Sequence, residues 1–344
     1  TTHFDYHSIE GRMTKLDILG HDDPTIIRML EDLTGIDAKT IPFDDPRTLS
    51  LFSSTEGIGL TPEQLQGDQV ASLAVPECGT KFVRGMLEDS RPQTFSDLVR
   101  ISGFSHGTNV WLDNAQDLIK NGTCKLNEAI STRDDVMNFL IHRGMDRKHS
   151  FFVMENVRKG KGIEKRNKQG QATTEFEAEM RENNIPEWFI DSCKKISYLF
   201  PRAHAVAYVM MAFRIAWFKV YHPLAFYAAY FSIRAKAFDL RIMTGDLKTQ
   251  MTEFNRIKAL DRGASPKDKD LMSALEVSME MYQRGYRFVN VDIQHSEARR
   301  FSIKDGALLP PFLAIESLGE TVADAIVAER EERPFTSLKD LQRR

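Results

Sequence analysis

The stretch LFPRAHAVAYVMMAFRIAWFKVYHP, Leu199 to Pro223, is the most informative part of the chain. Pro201 predicts the start of a helix, because proline is well tolerated in a first helical turn, and the helical pattern extends over 204–219. Within it, the most apolar window is ended by Arg214 and is too short to cross a bilayer. The side chains expected to serve burial are Val209, Ala212, Phe213, Ala216 and Phe218.

The start of this helix carries polar groups that suit an anion. Arg202 lies in the first turn, and His204 and Tyr208 share a face because they are four residues apart. Arginine and histidine at a helix N-terminus favour a negatively charged ligand, and a tyrosine one turn later could stack on a base or ribose. A core helix with a solvated basic end explains the same residues, so the pattern alone leaves both interpretations open.

Two more segments offer similar groups. SGFSHGTNVW (102–111) is predicted to be a polar loop between helices that presents His106 and Thr108. STRDDVM (131–137) predicts a capped helix with Arg133 at its start. Each signal is weak by itself. Several helix starts that suit polyphosphates, all within one helical region, are harder to explain as coincidence.

A glycine- and lysine-rich stretch follows, RKGKGIEKRNKQGQATT at 158–174. It begins with three cations beside flexible backbone, and we expect it to be a mobile loop or a surface that faces phosphates. Runs of charge are most often solvated faces, which is the competing interpretation. The three cations are Arg158, Lys159 and Lys161.

Overall the pattern predicts a mainly α protein. The opening segment, 1–21, is strand-like, and Asp23-Pro24 is expected to cap a helix that Gly35 ends. A long helix is expected near 266–284, followed by strands in YRFVNVDI and ARRFSIKDGALLPPF. The other predicted helices cover 80–88, 94–101, 113–121, 133–143, 148–158, 175–183 and 187–198.

Composition indicates an ordinary soluble protein: 344 residues, 42% hydrophobic, 28% charged and a net charge of −3. Any site for a polyanion must therefore be a local concentration of lysine and arginine. Three widely separated cysteines suggest neither a disulfide framework nor a zinc ribbon and fit a reducing cytoplasm. Because the chain opens on TTHFDYH without an initiator methionine, we expect it to be part of a longer protein.

The tail, LAIESLGETVADAIVAEREERPFTSLKDL (313–341), has the form of a helix-hairpin-helix. A tight turn at Ser317-Leu318-Gly319 leads into a helix, and backbone N–H groups of such a turn can point at one phosphate. Contact of this kind with DNA is independent of base sequence. Ser317 replaces the first glycine of the usual turn, and a plain helical hairpin that packs on a neighbour remains the alternative.

In TKLDILGHDDP, Thr14 to Pro24, Asp17 interrupts what otherwise reads as a strand. Aspartate is disfavoured in strands and costly to bury alone, so Asp17 requires a partner. A metallohydrolase site built on Asp17, His21, Asp22 and Asp23 is one possibility. His21, however, lacks a second ligand at a suitable spacing.

Several segments taken together resemble a known family. They are KLDILGHDDPTIIRMLEDLTGID, VPECGTKFVRGMLED, ISGFSHGTNVWL, RDDVMNFLIHRG, VRKGKG, FPRAHAVAYVMMAFRIAWFKVYHPL and RGYRFVNVDI. In this order, and over essentially all 344 residues, they resemble the PolC-type replicative DNA polymerase III alpha subunits of low-GC Gram-positive bacteria. KLDILG is also similar to the DnaE-type subunits, whereas SHGT, GHDDPT and PRAHA favour the PolC type. The stretch after VRKGKG is longer than the usual connection of the family.

The resemblance implies three regions: the end of a polymerase palm at 1–35, helical fingers at 36–290 and the start of a duplex-binding domain at 291–344. It implies a soluble cytoplasmic enzyme whose partners are primer-template DNA, dNTP, a sliding clamp and other replisome proteins. Asp17 matches one of three metal-binding aspartates that hold two Mg²⁺ ions. The PDID-like motif with the other two, and the glycine-rich GS motif, do not occur in this sequence.

The resemblance also assigns roles to the candidate residues. Catalysis and metal binding fall to Asp17, and the fingers are expected to bind the incoming dNTP and the template. The residues expected to bind the nucleotide are Arg202, His204, Tyr208, His106, Thr108 and Arg133. Those expected to bind DNA are Arg158, Lys159, Lys161, Leu318 and Gly319. The alternative function is a non-enzymatic DNA-binding or scaffold protein that uses the helix-hairpin-helix.

Overall fold

The structure, a computed structural model, describes residues 3–9, 12–14, 16 and 20–344, and it confirms the predicted mainly α class. Up to residue 195 the helices are α1 (Tyr6–Ile9), α2 (Asp23–Thr34), α3 (Pro46–Ser50), α4 (Lys81–Ser90), α5 (Phe95–His106), α6 (Gln116–Lys120), α7 (Arg133–His142), α8 (Arg147–Arg158), α9 (Phe176–Glu182) and α10 (Glu187–Lys195). Those that follow are α11 (Arg202–Tyr221), α12 (Pro223–Ala229), α13 (Leu240–Met243), α14 (Leu247–Ala259), α15 (Pro266–Gln283), α16 (Glu320–Glu332) and α17 (Leu338–Arg343).

Helix α2 begins one residue earlier than the sequence pattern suggests. Asp22, and not Asp23, occupies the N-cap position, while Pro24 lies in the first turn as expected. The Asp23 side chain is buried and pairs with Arg234, whose Nη1 lies 3.1 Å from its Oδ1. Gly35 ends the helix with φ at 71°, which confirms the predicted stop, because glycine adopts this left-handed conformation without a steric penalty.

The sheet consists of β1 (Ser302–Lys304) and β2 (Ala307–Leu309), paired antiparallel with Ser302 opposite Leu309. The predicted strand over YRFVNVDI is wrong apart from one parallel bridge between Phe288 and Leu308. Several of its N–H groups donate to side chains instead of a neighbouring strand. The Asp292 N–H, for example, donates to Ser296 Oγ at 3.0 Å.

Two hydrophobic cores share helix α11. Ala205, Ala212 and Phe213 belong to the first core, which extends from Leu51 to Val220. Ile215 and Phe218, on another side of the same helix, belong to the second core, which includes α2, α12 and α15. The predicted burial of the apolar face of α11 is confirmed, since the apolar side chains named for it are all buried. Helix α11 is therefore the element that joins the two cores.

By length and composition alone, Arg202–Tyr221 would suffice to cross a membrane, in contrast to the shorter apolar window considered in the sequence. In its most apolar 18-residue window, 56% is buried inside the protein. Burial of this kind is typical of the core helix of a soluble protein.

Candidate functional site

An extended segment, Ser197–Phe200, lies between several of the predicted site residues and is called here the central segment. Thr108 is bound to it through the backbone: its N–H donates to Tyr198 O at 3.0 Å and its carbonyl accepts from the Ser197 N–H at 3.0 Å. The predicted helix over 187–198 therefore ends early, at Lys195, because the next residues pair with neighbouring loops.

The central segment also contacts the backbone of Arg133 and of Arg158, two other predicted site residues. The Arg133 N–H donates to Phe200 O at 3.1 Å, and the Leu199 N–H donates to Arg158 O at 3.3 Å. Gly160 packs so closely that an added Cβ would lie 2.5 Å from Ser197 O. Three segments that are distant in sequence thus meet at one short piece of extended backbone.

A column of rings runs from the end of α5 to the start of α2, and is called here the ring column. The His106 ring stacks on Phe200 with centroids 4.6 Å apart and planes at 21°. Phe200 is followed by His204 at 5.0 Å, and His204 by Tyr208 at 4.5 Å. Tyr208 lies against His21 at 4.7 Å, and its hydroxyl is hydrogen-bonded to His21 Nε2.

The ring column brings three of the predicted nucleotide-binding residues together. His204 and Tyr208 have the edge-to-face contact expected from their spacing of four residues. His106 differs from the prediction in one respect, because it is the last residue of α5 and not part of a loop. The exposed members of the ring column are His21, His106 and His204, whereas Tyr208 is only 8% exposed.

Glu77 fixes His106 from the other side, and no signal in the sequence identified it. His106 Nε2 lies 3.1 Å from Glu77 Oε2, and its Nδ1 is 2.8 Å from Ser102 O. The hydrogen bond to Glu77 raises the pKa of His106, which favours the charged imidazolium. Glu77 has a φ of 64°, so the backbone adopts an unusual conformation at this residue.

The N-termini of α7 and α11 lie side by side. Asp134 Oδ2 accepts a hydrogen bond from the Arg202 N–H at 2.9 Å, and Arg202 Nη1 lies 3.8 Å from Asp135 Oδ1. Asp135 also forms a capping box with Thr132. The Arg202 side chain remains 43% exposed, and the guanidinium can therefore meet a ligand in solvent while its backbone is held in place.

The three cations predicted to bind DNA differ in their surroundings. Arg158 Nε lies 2.8 Å from Glu155 Oε1, and Lys159 Nζ lies 3.1 Å from Glu155 Oε2. The Arg158 guanidinium, through its hydrogen bond, lowers the pKa of Glu155 to about 2. Lys161 is exposed and has no ion pair among the residues that the structure describes.

In the tail, Ser317 adopts a φ of 67° and Gly319 is the N-cap of α16. The hairpin turn is exposed at Gly319, where an added Cβ would meet no atom within 4 Å. Arg299 lies beside the first turn, with Nη1 2.6 Å from Glu320 Oε2 and Nη2 2.5 Å from Asp324 Oδ2.

Asp17 lies outside the described residues, and the expectation that it binds metal stays a prediction. Among residues 3–9, 12–14, 16 and 20–344, no group of three or more His, Cys, Asp or Glu is arranged to hold a metal ion. The residues that suggested a hydrolase site have other partners: His21 contacts Tyr208, and Asp23 pairs with Arg234.

Comparison with known protein families gives two matches along the chain. The profile of the bacterial DNA polymerase III alpha subunit finger domain matches residues 23–184, and that of the helix-hairpin-helix motif matches residues 285–344. These matches indicate that the chain is a segment of a protein of the DNA polymerase class, with a DNA-binding motif in its tail.

Curated relatives named DNA polymerase III PolC-type align with the whole chain. Identity is 55% for the protein of Caldanaerobacter subterraneus subsp. tengcongensis, 53% for that of Bacillus subtilis and 53% for that of Thermotoga maritima. The chain belongs to the PolC-type DNA polymerase III family. It spans 23–24% of the length of these relatives.

Proposed function

We propose that this chain is part of a replicative DNA-directed DNA polymerase that adds dNMP to a primer 3′-hydroxyl under the direction of a template. The observation that carries the proposal is the ring column, which runs beside the paired N-termini of α7 and α11. Cationic and hydrogen-bonding groups next to aromatic rings suit a ligand with both phosphates and a base. Membership of the PolC-type family supports the same reaction.

The incoming dNTP is the proposed ligand of this region. Arg202 and Arg133, at two neighbouring helix starts, supply charge for the phosphates. His106 can add a third charge, because its contact with Glu77 raises its pKa and favours the imidazolium. His204 is exposed and can contact the sugar or base, while Thr108 fixes the central segment. Tyr208 packs edge-to-face against His204, and its hydroxyl is hydrogen-bonded to His21.

The proposed regions are the end of the palm at 1–35, fingers at 36–290 and the start of a duplex-binding domain at 291–344. Lys161 is the cation best suited to a DNA phosphate, because Arg158 and Lys159 already share Glu155. Leu318 and Gly319 form the turn proposed to approach the duplex backbone. In the complete protein, located in the cytoplasm, the sliding clamp and other replisome proteins are the further proposed partners.

Mg²⁺ is the proposed cofactor, with Asp17 as one ligand and carboxylates outside this chain as the others. In such a site one ion would activate the primer hydroxyl and the other would neutralise the leaving pyrophosphate. The residues that the structure describes do not supply a cluster for either ion. This chain alone is therefore not expected to polymerise.

The decisive test is Asp17→Asn in the complete polymerase, with Asp22→Asn as the control because Asp22 is an exposed carboxylate five residues away. We expect Asp17→Asn to abolish nucleotide incorporation and to leave primer-template binding nearly intact, since one metal ligand is lost and the DNA contacts remain. Asp22→Asn should keep its activity. Normal turnover of the Asp17 variant would refute the metal-binding role of Asp17. Absence of nucleotide incorporation by the wild-type protein would refute the polymerase role and favour a non-enzymatic DNA-binding function.

A further inference from the structure

We infer that a cavity between the two hydrophobic cores binds a small anion with a flat apolar body. The cavity has a volume of about 720 Å³ and lies between the 65–84 segment, the C-terminal part of α14 and helix α15. Ligand pockets commonly enclose about 300–1,000 Å³ and occur where two packed units meet. This position satisfies both conditions.

The walls of the cavity come from both cores. Leu65 and Val75 are core residues on one side, while Phe254, Ile257 and Val277 belong to the second core on the other. A ligand that contacts these walls would exchange water for apolar surface on two faces, as a flat ring does.

The charge inside the cavity is already satisfied by the protein. Arg84 is 5% exposed and donates hydrogen bonds to Gly79 O at 2.7 Å and Glu276 Oε1 at 2.6 Å. It also forms an ion pair with Asp68, whose Oδ2 lies 3.0 Å from the Arg84 Nε. Asp68 and Glu276 both pair with Arg84, and the third acid of the lining that is not exposed, Glu77, pairs with His106. These carboxylates therefore do not require a cation from a ligand. The interior is thus organised before a ligand arrives.

The rim carries an excess of positive charge. Lys81, Lys258 and Lys269 line the cavity and are exposed, and none has an ion pair among the residues that the structure describes. Asp261 is the exposed acid of this lining. Three ammonium groups opposed by one carboxylate favour an anionic group at the mouth of the cavity, above the apolar walls.

The cavity shares two residues with contacts near the ring column. Glu77 lines the cavity and pairs with His106, and Arg234 lines it and pairs with Asp23, two residues from His21. A ligand that shifts either side chain would alter the ring column, and nucleotide binding there would in turn alter affinity for the ligand. This coupling rests on the proposed function, whereas binding in the cavity does not.

Binding is tested with 8-anilinonaphthalene-1-sulfonate, which has a flat apolar body and one negative charge. Ser273→Trp, on the cavity side of α15, should fill the space and weaken binding of this probe by about tenfold or more. The matched control is Thr252→Trp on the exposed face of α14, outside the cavity lining, which should leave binding unchanged. Fluorescence titration gives the dissociation constants, and circular dichroism checks that both variants fold.

A second arm tests the charge without changing the packing. The double variant Lys258→Gln, Lys269→Gln should weaken binding of the sulfonate several-fold and leave binding of uncharged N-phenyl-1-naphthylamine unchanged. The inference is overturned if Ser273→Trp and Thr252→Trp bind the sulfonate equally well. It is also overturned if the lysine variant weakens binding of neither probe or of both alike. If Ser273→Trp does not fold, the double lysine variant alone tests the inference.

The coupling is measured separately, in the complete polymerase. With the cavity occupied by the sulfonate, the apparent KM for dNTP should change in the wild type but not in Ser273→Trp. An unchanged KM together with intact probe binding would refute the coupling and leave the binding site standing. Absence of nucleotide incorporation by the wild-type protein would refute the proposed function without affecting the probe titrations.

Discussion

Lys219 Nζ donates a hydrogen bond to Glu280 Oε2 at 2.9 Å, and both side chains are buried. Lys219 also donates to Ala71 O at 2.8 Å and Leu73 O at 2.6 Å, while the Tyr227 hydroxyl donates to Glu280 Oε1 at 2.7 Å. The pair joins α11 to α15 at the place where the two cores meet. Because its polar atoms are satisfied by the protein, the network holds these helices in one arrangement.

Lys219→Met is expected to lower the free energy of unfolding by about 3–5 kcal/mol, because it leaves Glu280 buried without its cation. Urea denaturation followed by circular dichroism measures the change. The control is the double variant Lys219→Met, Glu280→Leu, which removes both charges and should recover part of the loss. This account would be contradicted if the double variant lost more unfolding free energy than the two single variants lose when their losses are added.

Gly160→Ala is expected to disturb the central segment. Gly160 has a φ of 66°, and an added Cβ would lie 2.5 Å from Ser197 O. Gly162 is the matched control: its φ is 77°, but an added Cβ would meet nothing within 4 Å. Each alanine should cost about 1–2 kcal/mol of unfolding free energy for the left-handed backbone.

Gly160→Ala should cost about 1–3 kcal/mol beyond that amount, because backbone atoms must move to accommodate the methyl group. Urea unfolding of both variants gives the difference. Equal destabilisation by the two substitutions would mean that the contact between Gly160 and Ser197 is not tight in solution.

The His106–Glu77 contact should make stability depend on pH. Glu77 raises the pKa of His106 in the folded protein, so the contact stabilises fully below the ordinary histidine value of about 6.5 and is lost as pH rises through the raised value. Wild type should therefore exceed Glu77→Gln in unfolding free energy most clearly near pH 6, with a smaller gap near pH 8.5. Glu56→Gln, an exposed carboxylate, should show a gap that does not vary with pH. A constant gap for Glu77→Gln would exclude this role.

Local features of the site were predictable from the sequence, and contacts between distant segments were not. The helix of Arg202, with His204 and Tyr208 on one face, follows from proline at its start and a spacing of four residues. In contrast, the stacking of His106 on Phe200 depends on tertiary packing that brings the end of α5 against the central segment. Glu77 was missed for the same reason, since nothing in VPECG indicates a histidine partner.

Arg202→Ala in the complete polymerase is expected to raise the apparent KM for dNTP by one to two orders of magnitude, about 1.4–2.8 kcal/mol, because a partly exposed cation at the helix start is lost. Arg147→Ala is the matched control, since Arg147 is likewise exposed and the first residue of its helix, α8. Steady-state incorporation assays measure both. An unchanged KM would remove Arg202 from the nucleotide site.

Tyr208→Ala is expected to raise the same KM by a similar factor, because His204 loses its ring contact and the column loses its connection to His21. Tyr208→Phe separates the two effects: it keeps the ring and removes only the hydroxyl that bonds to His21. A variant with phenylalanine that behaves like wild type would assign the effect to ring packing. Normal KM values in both variants would exclude Tyr208 from the site.

Substitution at Gly319 tests whether the hairpin turn approaches DNA. Gly319 has a φ of −79°, and an added Cβ would meet no protein atom within 4 Å, so Gly319→Val should leave the fold intact. If the turn contacts a phosphate through its backbone, the larger side chain will obstruct that contact and weaken duplex binding equally for all sequences. The dependence of the affinity on salt should also become less steep, by roughly one phosphate contact. Fluorescence anisotropy with duplexes of two unrelated sequences, at several salt concentrations, measures both effects.

Gly263→Val is the control, because this exposed glycine also has free space around it and lies outside the hairpin. Unchanged affinity and salt dependence in Gly319→Val would show that the turn does not contact the duplex, whereas a change in preference between the two sequences would indicate contact with bases instead of phosphates.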